Sequence, residues 1–587
     1  MSKNVQVAAA ISTAGREPYR WRWFAFGVVL LGSVMDLLDT LVTNVAGPTI
    51  RADLGGGTTL IQWLGAGYTL AMAAGLITGG RLGDIYGRKT MFMIGASGFT
   101  ISSVLCSVSV SPGMLVAFRV TQGLSAAVML PQGLGIIKEV FPPQEIAAAF
   151  GAFGPAMGLS SVAGPTVAGA LIDANLFGTS WRMIFLINLP FGLLALAGAA
   201  RFLPASRTPT ATRLDPLGMV LAAVAALLLV YPVVQGRSLG WPAWTFASMA
   251  ASVLVFAVFG WYEARKQRAG GEPLVTPGLF RKRAFSGGLV AGLSFFTAVV
   301  GFSLVFTVYV QIGLGYSPLK AGLAALPQAL GSVAGFVASG VGLANKLGRK
   351  LIHIGTLFMA AGILGVYLTV REVGVGVSPW QLAPALVFSG IGLGLVLAPF
   401  FNIVLAGVDP RETGSASGTL TAVQQFGSAL GLAVIGTIFF GLLGGHVASS
   451  TDTFAPALRS ELTSAGVPAT AASQLLTDLR ACGHDRAVTN DPTTPPASCT
   501  RLSAATAAAA RSSPDGARIG QAVAATGEQA ARHGFSSALE ETLWVVAGLQ
   551  VLTCVLALLL PMHARPGDEE WGPVGGGERS PDGALAV

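Results

Sequence analysis

The sequence predicts an all-α membrane protein with fourteen transmembrane helices. Three observations lead there. Only 11% of the 587 residues are charged and 52% are hydrophobic, against roughly 25% charged in a soluble globular protein. The charges fall in short clusters. Between them lie apolar runs of about 20 residues, the length that crosses ~30 Å of hydrocarbon at 1.5 Å rise per residue. Third, the basic residues favour alternate connections along the chain. The net charge of +8 would point to an anionic partner in a soluble protein; here the basic residues read as topology signals, and nucleic acid is not expected.

Spans are read near 24–48, 60–80, 91–110, 114–136, 146–172, 183–200, 215–235, 245–264, 286–310, 321–344, 352–370, 381–406, 417–443 and 541–561. The first is too long for a cleavable signal peptide and carries Asp36 and Asp39. With the N-terminus inside, the cytoplasmic segments hold 23 Lys and Arg, and the short outer loops hold five. That bias places both termini in the cytoplasm. The excess of Arg over Lys reads as GC-rich coding, so the expected location is a bacterial inner membrane. Residues 1–23 form a cytoplasmic N-terminus, and the Gly- and Pro-rich tail 562–587 is expected to be disordered. Residues 444–540 form one long outer loop, in which 457–462 and 471–479 can be short helices. Cys482 and Cys499 lie in it, on the oxidising side where disulfides persist, so a disulfide is expected. Cys106 and Cys554 sit in apolar runs as small hydrophobes.

The chain repeats itself. Gly87-Arg88-Lys89 recurs as Gly348-Arg349-Lys350, each closing a short loop between spans. Val128, Pro131 and Pro142 match Val396, Pro399 and Pro410 at a constant offset of 268. Two related six-helix halves follow, 24–200 and 286–561, with two further helices between them at 215–264. Many secondary transporters are built from related halves with substrate between them.

The motifs narrow this further. The loop after span 2 contains Gly80, Asp84, Gly87, Arg88 and Lys89, and in the second half Asn345 replaces the Asp. This resembles the loop 2–3 signature of the major facilitator superfamily, in which the glycines allow a tight turn and the charges form a gate. Span 1 ends in Leu38-Asp39-Thr40 and continues to Asn44, Ala46, Gly47 and Pro48. That run is similar to the span 1 motif of the fourteen-span drug:proton antiporters of the EmrB/QacA type. Trp181-Arg182 with Asn188, Pro190 and Gly192 adds to it, as do Gln62-Trp63, Gly315-Tyr316-Ser317-Pro318 and Gln424-Gln425-Phe426-Gly427. The resemblance implies the major-facilitator fold. In span 5, Gly158, Gly164, Pro165 and Gly169 resemble the superfamily's antiporter motif; small residues at this spacing also serve simply to bring helices close.

Span 4 carries Arg119, like the family's membrane-embedded arginine. A charge at mid-membrane costs at least ~2.5–3.5 kcal/mol and marks function by default. Arg119 lies roughly 8 Å below the outer end of its span and Asp39 about 13 Å below the end of its own, by helix rise. The two can meet, either as a proton-coupling pair or as a structural ion pair, with Asp36 one turn deeper on the same face. Whether Asp36 couples protons or selects cations stays open.

For substrate, Asn44, Tyr68, Gln122, Gln311, Asn402 and Gln425 supply polar groups among the aromatics Phe295, Phe296, Phe302, Phe306, Tyr309, Phe400 and Phe401. There is no Walker loop, no cofactor motif and no metal-ligand spacing. The chain therefore reads as a monomeric, proton-coupled exporter of a small lipophilic molecule rather than an enzyme. Two alternatives remain: a proton-symport importer, or a membrane sensor or enzyme using the 444–540 loop.

Overall fold

The computed structural model describes residues 19–205, 214–405, 408, 413–489, 494–513 and 515–562. The expected disordered tail, most of the N-terminal segment, Pro410 and the Asn345 side chain lie outside the described residues. The first six helices are α1 (Arg22–Leu54), α2 (Gly57–Tyr86), α3 (Arg88–Ser107), α4 (Pro112–Val140), α5 (Pro143–Ala174) and α6 (Ser180–Phe202). Helices α7 (Pro216–Gly236) and α8 (Ala243–Arg268) follow. Then come α9 (Arg283–Gly313), α10 (Pro318–Ala338), α11 (Arg349–Gly376), α12 (Pro379–Leu405) and α13 (Ala416–Ser464). After α14 (Ala469–Val488) and α15 (Ala497–Ser512), α16 (Gly516–Leu559) closes the fold. Among the described residues, 13 helices are long and apolar enough to cross a membrane. The 32-residue α5, fifth in order, completes fourteen.

Local sequence explains where several helices begin and end. Ser111, Asp215 and Ser317 each precede a proline and cap their helix, accepting from the backbone N–H of Met114, Gly218 and Lys320. Proline suits the first helical position because its missing N–H would have no partner there. The repeated Gly-Arg-Lys turns both need a left-handed residue: φ is +95° at Gly87 and +50° at Gly348, a region costly for any side chain. Pro131 lies inside α4 and its repeat partner Pro399 inside α12.

Packing follows the same repeat. In the first group α4 packs on α2 and α3, and α6 packs on α1 and α3; in the second α12 packs on α10 and α11, and α16 packs on α9 and α11. The groups meet along α5 against α10 and α2 against α13, contacts that the repeat interchanges. Helices α7 and α8 pack on each other, and α7 reaches α2. Buried aromatic and aliphatic side chains fill each group, among them Phe92 and Phe99 in the first and Phe295, Phe296 and Phe400 in the second. These last rings stack edge to face on one another, with Phe296 and Phe400 centroids 6.3 Å apart, so they are packing residues rather than a lining.

The bundle has two ends. One carries the Gly80–Lys89 turn; the other carries residues 444–540, and they are named here the turn end and the lobe end. Where the sequence suggests a loop with short helices, the chain instead continues α13 to Ser464 and begins α16 at Gly516. Polar Ala-rich stretches stop reading as membrane but keep high helix propensity, so the helices outlast the apolar signal. Together with α14 and α15 they make a helical lobe with its own core, including Leu458, Leu462, Leu475, Leu479, Ile519 and Val523.

Cys482 of α14 and Cys499 of α15 are joined by a disulfide. Closing a loop of this size stabilises by ~3 kcal/mol in the chain-entropy model. That link joins α14 to α15 within the lobe, so its effect is local: the double variant Cys482→Ser, Cys499→Ser is expected to lose lobe stability while transport survives. Impermeant maleimide on intact cells checks the first part: rapid labelling of two thiols without reductant would deny the bond. Severe loss of transport in a double variant that still reaches the membrane would give the lobe a direct role.

Candidate functional site

Helices α1, α4 and α6 present polar side chains to one buried point. Arg119 and Asp39 are each 1% exposed at the side chain and form a direct ion pair between Nη1 and Oδ2. Asp39 Oδ1 accepts from Gln122 Nε2 at 2.9 Å and from Asn188 Nδ2 at 2.8 Å. Both amides also donate to Ser103 Oγ on α3, at 2.7 and 3.1 Å. Arg119 donates through Nε to the Leu64 carbonyl at 3.0 Å and through Nη1 to Gln122 Oε1 at 2.6 Å. Each charge is thus paired and hydrogen-bonded, the condition under which a buried ion pair is tolerated.

Tyr68 couples this pair to a second carboxylate. Its ring lies under the Arg119 guanidinium, 4.4 Å from Cζ to centroid, a cation–π contact. Its hydroxyl donates to Asp36 Oδ1. Asp36 is half-buried whereas Asp39 is buried. One connected set therefore runs from a partly accessible acid, through a phenol and a guanidinium, to a fully buried acid.

The predicted positions are not all brought together. Asp36, Asp39, Tyr68, Arg119 and Gln122 share the network above, so Tyr68 and Gln122 are occupied by charges. Asn44 lies at a cavity of about 40 Å³ between the groups, with Gln328 and Phe306. Gln311 donates to the Val45 carbonyl at 2.8 Å, one residue from Asn44. Asn402 is exposed and Gln425 half-buried, and neither touches that cavity. Sequence reasoning did not single out Ser103 or Asn188 as partners of Asp39. Asn188 had a signal, an amide alone in the apolar run Met183–Phe191; Ser103 had none.

At the turn end Asp84 Oδ1 pairs with Arg88 Nη2 at 3.2 Å. Lys89 donates to the carbonyls of Ala200 and Leu203, at 2.8 and 3.0 Å. A Cβ at Gly135 would lie 2.7 Å from Arg88 Nε, so that glycine makes room for the guanidinium. Gly80 faces Pro131 with ordinary space, 3.7 Å from a built Cβ. The turn thus ties α2 to α3, α4 and α6.

Of the span 5 glycines, Gly158 and Gly169 sit at the group interface and Gly164 packs within the first group. A Cβ on Gly169 would lie 2.5 Å from Leu319 Cα, and one on Gly322 would lie 2.8 Å from the Pro165 carbonyl carbon. Gly158 faces Val333 of α10, and Gly164 faces Leu38 and Leu41 of α1. Two backbones approach without intervening side chains, as small residues permit. Among the described residues, hydrogen bonds join the groups towards the lobe end: Gln311 to Val45, Gln62 Nε2 to the Leu432 carbonyl at 3.0 Å, and the Leu319 N–H to Asp173 Oδ2 at 3.1 Å.

Comparisons with known proteins agree with this architecture. The chain is 47% identical over 559 residues to a probable actinorhodin transporter of Streptomyces coelicolor, covering 95% of each chain. It is 32% identical to the tetracenomycin C resistance and export protein of Streptomyces glaucescens, over 72% of this chain and 77% of that one. A bacterial homologue of the lysosomal transporter Spinster, solved inward-facing and occupied, superposes with TM-score 0.55 at 17% identity over 95% of this chain and all of its own. The sequence model of the Major Facilitator Superfamily matches residues 29–432, and the chain belongs to that family.

Proposed function

We propose that the protein is a proton-coupled antiporter that exports a lipophilic antibiotic from a bacterial cytoplasm by alternating access. The observation that carries this reading is the Asp36–Tyr68–Arg119–Asp39 network, which sets a partly accessible acid against a buried ion pair. The names of the relatives, an actinorhodin transporter and a tetracenomycin export protein, supply the substrate class. The lobe faces outward and both termini face the cytoplasm, as the Lys and Arg bias favours. Residues 24–200 and 286–561 rock about the α5–α10 and α2–α13 contacts, with 215–264 outside that motion; the unit is a monomer.

In the cycle, a proton from outside neutralises Asp39 or Asp36 and weakens its hold on Arg119 or on substrate. The freed guanidinium repacks the α1–α4 contact and lets the halves reorient. Substrate then binds from the cytoplasm between the groups, where Asn44 and Gln311 lie, as the proton leaves. A membrane potential adds about 2.3 kcal/mol per charge per 100 mV.

Inverted membrane vesicles test the direction and the driving force. Antibiotic should accumulate in acid-loaded vesicles, and nigericin should abolish it. Accumulation that ignores nigericin would remove proton coupling; movement out of inverted vesicles would make the protein an importer.

The Asp84–Arg88 pair is the proposed gate. Asp84→Ala is expected to leave substrate affinity within about twofold, because the half-buried pair lies at the turn end away from the cavity beside Asn44, while turnover falls several-fold. Equilibrium binding against initial transport rate separates the two. Lost affinity with full turnover would contradict the assignment.

A further inference from the structure

Three arginines that the transport network does not use gather at the lobe end. Arg51 lies in the last turn of α1, Arg237 directly follows α7, and Arg486 lies near the end of α14. Arg237 ties the three elements together. Its Nη2 donates to Thr58 Oγ1 at the start of α2, just past the glycine turn that follows α1. Its Nη1 donates to the Phe440 carbonyl of α13 at 3.4 Å, and its guanidinium carbon lies 5.9 Å from the Phe440 ring centroid. About one turn further along α13, a Cβ on Gly444 would lie 2.6 Å from Val488 Cγ1 and 3.2 Å from His484 Cδ2. Those two residues flank Arg486 on α14.

No counter-charge accompanies them. The charges of Arg237 and Arg486 repel that of Arg51, and among the described residues no carboxylate pairs with any of the three. The acids beside them in sequence are committed elsewhere. Asp53 accepts from Trp181 Nε1 and Arg182 Nη1, both at 2.8 Å, and Asp485 accepts from Ser498 Oγ at 2.6 Å beside His484. Arg51 and Arg237 are half-buried and Arg486 is exposed. The Nε atoms of Arg51 and Arg237 are sealed without an acceptor, whereas the Nη groups of Arg51 stay open and unbonded. The ends of α1 and α7 offer only about half a negative charge each. Like charges held together at this burial cost free energy until an anion answers them.

The surroundings indicate what that anion is. Tyr231, Trp241 and Trp244 are exposed around the same end of α7, and the Tyr231 ring lies 5.8 Å from Trp63 and 6.1 Å from Trp244. Tyrosine and tryptophan concentrate at headgroup level, the depth at which lipid phosphates lie. A guanidinium fork matches the oxygens of a phosphate. We infer that Arg51, Arg237 and Arg486 form a phosphate-binding site that bridges the first group, the added helices and the lobe. The phosphate can belong to an anionic lipid headgroup or to the free ion. The site lies apart from the Asp39–Arg119 network and goes beyond the proposed antiport.

The test uses full-length protein in a neutral detergent, stripped of phospholipid and phosphate. It is titrated with dioctanoyl phosphatidylglycerol, with inorganic phosphate, and with dioctanoylglycerol, which has the same tails and no phosphate. Phosphatidylglycerol is expected to bind at least about tenfold more tightly than dioctanoylglycerol, as charge-assisted hydrogen bonds require. That preference identifies the headgroup as the source, whether or not inorganic phosphate also binds. Saturable binding of inorganic phosphate without the preference identifies the free ion. Arg51→Gln and Arg486→Gln should each weaken the phosphate-bearing ligand at least about tenfold and leave dioctanoylglycerol unaffected. Equal binding of the two lipids with no binding of inorganic phosphate would overturn the proposal, as would phosphate binding that survives both substitutions. If Arg51→Gln does not survive purification, Arg486→Gln, on an exposed side chain, decides the matter. Transport is read in no arm, so failure here leaves the antiport reading to its own vesicle test.

Discussion

Asp39→Asn is expected to reduce proton-driven export at least about a hundredfold while the protein still inserts. Removing one partner of a buried ion pair costs ~3–5 kcal/mol, and each 1.4 kcal/mol is a factor of ten. Asparagine keeps the shape of Asp39 and its contacts to Gln122 and Asn188, but it cannot hold a charge against Arg119 or take up a proton. Asp36→Asn should be milder, because Asp36 is half-buried and reaches the pair only through Tyr68. A double variant, Asp39→Asn with Arg119→Gln, separates packing from coupling. Thermal stability should recover when both charges are gone, and export should not. Wild-type export by Asp39→Asn would end the coupling assignment.

The second large effect concerns the α5–α10 contact. Gly322→Leu places a side chain where the Pro165 backbone already sits. Backbone cannot swing aside as a long side chain can, and overpacking costs ~1–3 kcal/mol even in forgiving cores. The two helices must separate near the lobe end, where Gln311 meets Val45 and Leu319 meets Asp173. The expected result is a protein held open at that end, with export lowered at least about tenfold. A cysteine at Thr307, on the 40 Å³ cavity, should then react quickly with an impermeant thiol reagent, whereas in the parent it should react slowly. Unchanged labelling together with wild-type export would show that the contact has room to spare.

Much of this molecule is legible from hydropathy because a lipid solvent imposes a simple demand. Every span must be apolar for about 20 residues and must satisfy its own backbone. Where that demand ends, so does the signal: nothing apolar marks Gly516 as the start of α16 or Ser464 as the end of α13. The Asp39–Arg119 pair could be anticipated because two opposite charges in apolar spans had comparable depths. Depth along a helix follows from counting, but direction around it does not follow for isolated polar residues. Tyr68 and Gln122 therefore suggested a substrate cavity and instead serve the ion pair. Asn402, three residues from a helix end, is exposed for the same reason. Glu263 stands beside Arg265, Lys266 and Arg268, where charge reads as a membrane boundary, so its burial could be found only in three dimensions.

The unbroken run of α13 and α16 out of the membrane makes the lobe a pointer. Helix α16 alone has 44 residues, about 66 Å at 1.5 Å per residue. Its first 25 or so residues project beyond the apolar span, an arm of roughly 37 Å. A tilt of ten degrees in the second group would carry the tip through about 6 Å, a displacement larger than many of the rearrangements that cause it. Paired distance probes, one on the lobe tip and one at the Asp53 end of the first group, would therefore magnify each half-turn of the cycle. The same leverage runs backwards: a binder that clamps the lobe to the first group would arrest the rocking from outside the membrane, without ever entering the substrate path.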